Sequence, residues 1–177
     1  MAAASTSPDQ TIERITLLQG EARVCTGAQV EISTLLGSCI ATCLFDPEAG
    51  VGGMNHFLLA TPPAGQHRGI NHHHYGVYLM QQLIDEMLTQ GASKTRLRAH
   101  LYGGANLHPG MVEIGTANAE FARAFLARES IPVVQNDLGG VSARRVDFQP
   151  ASGKVRCRIV AAAVPNKSDE GNWQSYD

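Results

Sequence analysis

The stretch Leu35-Leu36-Gly37-Ser38-Cys39-Ile40-Ala41-Thr42-Cys43-Leu44-Phe45-Asp46-Pro47 decides the fold. From Cys39 to Phe45 it is almost continuously apolar. Asp46-Pro47 and the glycines Gly50, Gly52 and Gly53 then close it. A short apolar run bounded by turn residues predicts a buried strand, and the neighbours such a strand needs are found on both sides of it. Upstream, residues 14–19 and 22–26 alternate around Gly20, which predicts an early hairpin or strand pair, and residues 29–35 predict another strand. Downstream, residues 54–59 (MNHFLL) predict a strand that ends at Pro62-Pro63. Val77, Met80, Leu83, Ile84, Met87 and Leu88 then repeat at helical spacing, with Gly91 where a C′ glycine belongs. Residues 95–102 alternate and run into Gly103-Gly104. A second helix is predicted over 116–128, with Ala117, Phe121, Ala124 and Phe125 on one face. Pro132 suits the first position or edge of a short strand over 131–135. Residues 137–140 predict a loop, and 144–148 with 155–160 a hairpin around 150–153. The expected class is α+β: an α/β sandwich of mixed or antiparallel sheet packed with two main helices.

The 177 residues suffice for one domain with a real core. We expect a single domain over 11–163, a flexible lead-in over 1–10 and a flexible tail over 164–177, whose lone Trp173 belongs to a frayed end. Hydrophobic residues make up 44% and charged residues 17%, which argues against disorder. A net charge of −2 offers no electrostatic case for binding nucleic acid or an anionic membrane surface. The N-terminus lacks the basic and apolar regions of a secretory signal. No apolar run approaches the roughly 20 residues of a membrane span. A cytoplasmic protein without membrane insertion is the expectation, with its four cysteines reduced.

Those cysteines, Cys25, Cys39, Cys43 and Cys157, show no paired CxxC spacing. Cys39 follows the small, flexible Gly37-Ser38 step, where a nucleophile can be exposed beside converging backbone N–H groups. The plain alternative is a thiol that merely opens a core strand. On one strand Cys39 and Cys43 would lie about 13 Å apart at about 3.3 Å per residue, too far to share a metal ion. Cys25, Cys43 and Cys157 therefore read as packing. A thiol needs a base, and His56 lies 17 residues on, in the strand after the next turn, where sheet pairing can bring it near Cys39. A core histidine satisfied by backbone fits the spacing as well. The run His72-His73-His74 points in several directions on any regular element and reads as solvated. His67, His100 and His108 have no evident partners. The glycine pairs Gly52-Gly53, Gly103-Gly104 and Gly139-Gly140 suggest the walls of a pocket. None matches a phosphate-binding fingerprint.

Taken together, LLGSCIATCLFDP (35–47), GGMNHFLL (52–59), YGGAN (102–106), IGTAN (114–118) and DLGGVSARRV (137–146) resemble the chemoreceptor glutamine deamidase family, CheD, in order and spacing. The resemblance implies a fold related to cysteine-dependent toxin deamidases. It also implies hydrolysis of glutamine side-chain amides on methyl-accepting chemotaxis receptors, with no metal or organic cofactor. The family's nucleophile falls on Cys39 and its histidine on His56. Its third active-site position, six residues before the cysteine, falls on Ser33, with a second hydroxyl at Thr34 beside it. Thr34, Ser38, Asn55, Gly103, Gly104, Gly139 and Gly140 are expected to line the substrate site. Ala117 stands where many relatives carry arginine. A CheC-type phosphatase is a further partner implied by the family. The competing functions are a cysteine peptidase, a receptor methylesterase using the same dyad, a non-catalytic adaptor and, weakest, a metalloprotein using His72–His74.

Overall fold

The computed structural model describes residues 11–61, 73, 75–108 and 112–160, the side chains of residues 112 and 113 excepted. The expected lead-in, the tail with Trp173, the boundary at 163 and residues His67, His72 and His74 lie outside the described residues. Among the described residues nine strands and two α-helices follow in the order β1 (Glu13–Thr16), β2 (Ala22–Cys25), β3 (Val30–Leu36), β4 (Ile40–Asp46), β5 (Val51–Phe57), α1 (Gly76–Thr89), β6 (Arg98–Gly103), α2 (Val112–Arg128), β7 (Val133–Leu138), β8 (Arg144–Gln149) and β9 (Lys154–Ile159). A 3-10 turn over Lys94–Arg96 leads into β6.

The strands form two mixed sheets. One has four strands in the order β1-β3-β8-β9, the other five in the order β2-β5-β4-β6-β7. Every residue of β4 and β5 is buried. Side chains alternate across a strand, so β4 serves two cores at once. Ile40 and Leu44 face the helices, packing with Phe57, Leu79, Leu83, Phe125 and Leu126. Cys39, Ala41, Cys43 and Phe45 face the four-stranded sheet, meeting Ile32, Leu36, Val146 and Phe148. The layers are therefore sheet, sheet and helices, the α+β sandwich that the apolar run and the two periodic helices predict.

Particular elements depart from the expectation. β1 and β2 do not form a hairpin: β1 pairs in parallel with β3, whereas β2 pairs antiparallel with β5 in the other sheet. Local alternation carries no information about which sheet a short strand will join, and here the turn at Gly20 crosses between layers. β5 begins at Val51, so Gly52 and Gly53 lie inside a strand rather than in a turn. Their missing side chains admit neighbouring backbone: a Cβ on Gly52 would run into the Pro150 carbonyl, and one on Gly53 would sit 2.7 Å from the Arg23 carbonyl oxygen. In α2 the buried side is Gly115, Asn118, Ala122, Phe125 and Leu126, while Ala117 and Ala124 are exposed. Small alanines carry too little apolar area to orient a helix against Phe125 and Leu126. Asp137 and Leu138 belong to β7, an edge strand, rather than to the loop. α1 matches its periodicity except that Leu88 is exposed, and Gly91 takes φ +104° just past its end.

Because the obstacle at Gly52 is backbone and not a flexible side chain, Gly52→Ala has no cheap relaxation. We expect a loss of about 1–3 kcal/mol in urea unfolding, the usual cost of overpacking a filled core. Gly50→Ala, with open space around its Cβ but a φ of +67°, should lose about 1 kcal/mol through backbone strain alone. An unchanged urea midpoint for Gly52→Ala would contradict the close approach.

Candidate active site

Cys39 stands at the entrance to β4, 8% exposed, on the face turned toward the four-stranded sheet. In the β4–β5 ladder Ala41 faces His56, so Cys39 and His56 are diagonal neighbours on one face, about 7–8 Å apart at the backbone. The opposite wall is β3. Thr34 points from it into the space between the sheets, and its Oγ1 lies 2.8 Å from His56 Nδ1.

The proton positions on this pair follow from a donor count. Thr34 has one hydroxyl proton, and it donates that proton to the Leu17 carbonyl at 2.8 Å. A carbonyl can only accept. His56 Nδ1 must then carry its own proton and donate it to Thr34 Oγ1, which leaves a lone pair on Nε2. That Nε2 is buried and has no hydrogen-bond partner among the described residues. A buried, unpaired acceptor is costly in a purely structural role. An imidazole nitrogen in that state is free to accept a proton.

Burial governs the charge states. It pushes the Cys39 thiol up to about 11, against the opposing pull of the residue's own backbone N–H. It also holds His56 below its ordinary value, outweighing the Leu17 carbonyl and the Glu21 charge, both of which favour the protonated ring. At neutral pH the resting pair is a thiol and a neutral imidazole. Cys43 is fully buried, with its thiol raised mainly by desolvation, and Cys157 is pushed up to about 11 for the same reason. Cys43 lies in the interlayer core, whereas Cys157 Sγ donates to Asp137 Oδ2 at 3.7 Å.

The expected site residues do not all converge. Ser33 lies on the outer face of its sheet, where its hydroxyl donates to Asp147 Oδ1 at 2.6 Å. Asp147 also receives Arg145 and Arg156. Desolvation raises its carboxyl, but the Ser33, Arg156 and Arg145 hydrogen bonds outweigh this and hold it below the usual range. Adjacent strand residues point to opposite faces, so Ser33 and Thr34 cannot both address the imidazole; Thr34 does. Asn55 is also on the far face, fully buried under α1, with Oδ1 accepting from the Thr42 N–H at 3.0 Å and Nδ2 donating to Met80 Sδ at 3.2 Å. It has no access to a substrate. Gly103 and Gly104 do reach the site, but through backbone: Gly104 N–H donates to the Cys39 carbonyl at 2.8 Å, and a Cβ on Gly104 would press on the Gly115 carbonyl of α2. Gly139 is tied to Gly103, Gly140 to Asn106, and the buried Arg144 guanidinium spans the Gly103 and Gly139 carbonyls. These glycines bring the β6–β7 end of the sheet close to Cys39.

Two contacting residues were not singled out by sequence. Asn118 of α2, 3% exposed, donates from Nδ2 to both the Ser38 and the Leu58 carbonyls. It staples the backbone just before Cys39 to the backbone just after His56. The only signal for it was its place in the IGTAN motif. Gln19, in the turn after β1, lies with Oε1 3.6 Å from Cys39 Sγ. Nothing in its polar, exposed setting marks it. Among the described residues no group of three or more His, Cys, Asp or Glu side chains is arranged to hold a metal ion.

A family model described as "CheD chemotactic sensory transduction" matches residues 58–159, a segment that begins just after His56. Similarity to whole proteins extends further. A probable chemoreceptor glutamine deamidase CheD of Zymomonas mobilis is 54% identical over 153 residues, covering 86% of this chain and 84% of the relative. Proteins of the same name from Caulobacter vibrioides and Acidiphilium cryptum are 48% and 46% identical, covering 87% and 92% of this chain and 81% and 85% of theirs.

The donor count around His56 has a direct spectroscopic consequence. Two-dimensional NMR of the histidine rings should show His56 as the Nδ1–H tautomer, titrating below 6.5. Thr34→Val should release that tautomer preference, and Ser33→Ala should leave it intact. The unfolded chain takes up a proton near pH 6.5 that the buried ring resists, so unfolding free energy should fall as pH drops below about 6.5. A His56 ring protonated on Nε2 at neutral pH would contradict the assignment.

Proposed function

The chain belongs to the CheD chemotactic sensory transduction family, and from that premise we propose that it is a protein-glutamine deamidase acting on chemoreceptors, with Cys39 as nucleophile and His56 as general base. The observation that carries the proposal is the unpaired His56 Nε2 on the same strand-pair face as Cys39, with its tautomer set from behind by Thr34. Thr34, rather than Ser33, is the orienting hydroxyl in this scheme.

The reaction follows from the groups. His56 Nε2 takes the Cys39 proton as sulfur bonds to the glutamine Cδ, and the carbonyl electron pair moves onto oxygen. The Cys39 backbone N–H, which favours negative charge on its own sulfur, would serve as a donor to that oxyanion. On collapse the C–N bond breaks and ammonia leaves with the proton from His56. Water, deprotonated by the same ring, then hydrolyses the thioester to a glutamate side chain and restores the thiol. No step calls for a metal or an organic cofactor.

Exposed apolar side chains near the site support a protein substrate over free glutamine. Leu18 precedes Gln19 in the turn and is 62% exposed, while Leu107 borders Gly37. Val141, 77% exposed, follows Gly140, whose carbonyl accepts from Asn106. A rim of this kind matches the apolar stripe of an amphipathic helix, the form in which a cytoplasmic receptor helix would present its glutamine. Each conversion replaces a neutral amide by a carboxylate, so the enzyme would adjust receptor charge during adaptation.

Incubating the protein with a receptor cytoplasmic fragment and mapping peptide masses tests the proposal. Wild-type enzyme should give the amide-to-acid mass gain at particular glutamines. Cys39→Ala should abolish it with an unaltered circular dichroism spectrum, and conversion by Cys39→Ala would refute the assignment. His56→Gln should lose on the order of 10²–10⁴ in rate. Because the neutral ring is the active form and its pKa is depressed, kcat/KM should be flat through neutrality and decline only below pH 6.5.

A further inference from the structure

The contact between Gln19 and Cys39 is unused in the scheme above, yet it brings a carboxamide to the reacting sulfur. The turn that carries Gln19 is exposed but firmly held. Leu17 N–H donates to the Ser33 carbonyl at 2.8 Å, and Gly20 N–H to the His56 carbonyl at 2.7 Å. His56 N–H returns a bond to the Glu21 carbonyl at 3.0 Å, and Glu21 Oε2 accepts the Leu18 N–H at 2.8 Å. The turn is thus fastened on one side to β3, which supplies Thr34, and on the other to His56 itself. Gln19 projects from the point where the chain crosses between the two sheets, beside the nucleophile.

A carboxamide can serve the two states of this site in turn. With the thiol protonated, S–H is the donor and Oε1 the acceptor, as the 3.6 Å contact has it. After attack, sulfur has no proton and the neighbouring group that needs a partner is the substrate's oxyanion, an acceptor. The carboxamide meets it by turning its NH₂ inward about its terminal torsion, which is soft and roughly two-fold. Asp or Glu could not make this exchange, having no proton to donate when ionised.

We propose that Gln19 is a catalytic residue whose Nε2 donates to the oxyanion formed when Cys39 attacks the substrate amide, completing a hole with the Cys39 backbone N–H. The proposal rests on the deamidase reading. Gln19 is unchanged at the end of the cycle: the S–C bond forms, the carbonyl pair moves to oxygen and back, and ammonia departs with the proton from His56.

The rival role is a placeholder, in which Gln19 merely occupies the substrate amide's position. Wild type, Gln19→Ala and Gln19→Glu are compared on the receptor cytoplasmic fragment, on Cys39 alkylation by iodoacetamide and on Tm. A lost oxyanion donor should lower kcat about 10- to 100-fold in Gln19→Ala, and further in Gln19→Glu, with KM and Tm unchanged. Alkylation by iodoacetamide displaces iodide without forming an oxyanion, so its rate should not fall in Gln19→Ala. Unchanged kcat in Gln19→Ala, or faster alkylation together with a lower KM, overturns the proposal and leaves the deamidase reading standing. No amide-to-acid conversion by the wild-type protein overturns both.

Discussion

The hydrogen bond between Thr34 Oγ1 and His56 Nδ1 crosses the space between two sheets, and the site depends on it. It joins β3 of one layer to β5 of the other across the interlayer core. A polar pair at such a depth is tolerable only if its hydrogen-bonding capacity is met. Leu17 meets Thr34's, and Thr34 meets that of Nδ1. Nε2 alone is left over. The network thus leaves its one unsatisfied valence on the His56 nitrogen remote from Thr34. The sandwich architecture is what makes this possible, since a histidine on a single solvated sheet would find water instead.

Much of this was legible in the sequence because it is local. The apolar run over 39–45 announces a buried strand, the spacing from Val77 to Met87 announces α1, and the glycine-punctuated hairpin near the end becomes β8 and β9. What depends on partner choice was not legible. β1 and β2 alternate like a hairpin yet join different sheets, because pairing is decided by long-range burial. Gly52 and Gly53 look like turn residues and are strand residues, since what they accommodate, the backbone of Pro150 and Arg23, is remote in sequence.

The site divides along the same line. Cys39 and His56 stand out by type and setting, and antiparallel pairing of consecutive strands places them together. The choice between Ser33 and Thr34 turns on register. A one-residue difference moves a hydroxyl from the interlayer space to the outer face, and no composition argument resolves it. Strand alternation does, once Ile32 and Leu36 are known to face inward, because Thr34 shares their side. Asn118 and Gln19 escape notice for a further reason. An asparagine under two carbonyls and a glutamine on a turn are ordinary residues until the chain brings Ser38, Leu58 and Cys39 to them.

Burial raises the cost of charge on both Cys39 and His56, and that cost shapes the chemistry proposed for them. A preformed thiolate–imidazolium pair would place two charges where desolvation already opposes each one separately. Mutual attraction compensates such a pair only with well-placed additional hydrogen bonds, and the thiol's one side-chain partner among the described residues, Gln19, presents an acceptor to it. An acceptor suits S–H and opposes S⁻. The resting state is therefore neutral, and in the proposed mechanism charge would develop only as sulfur meets carbon, passing at once to the substrate oxygen and the departing ammonia. A site of this kind holds a weakly reactive thiol until a substrate completes it. That economy would suit the receptor deamidation proposed for this chain, because discrimination would then lie in how the substrate seats and not in the reactivity of a free thiolate.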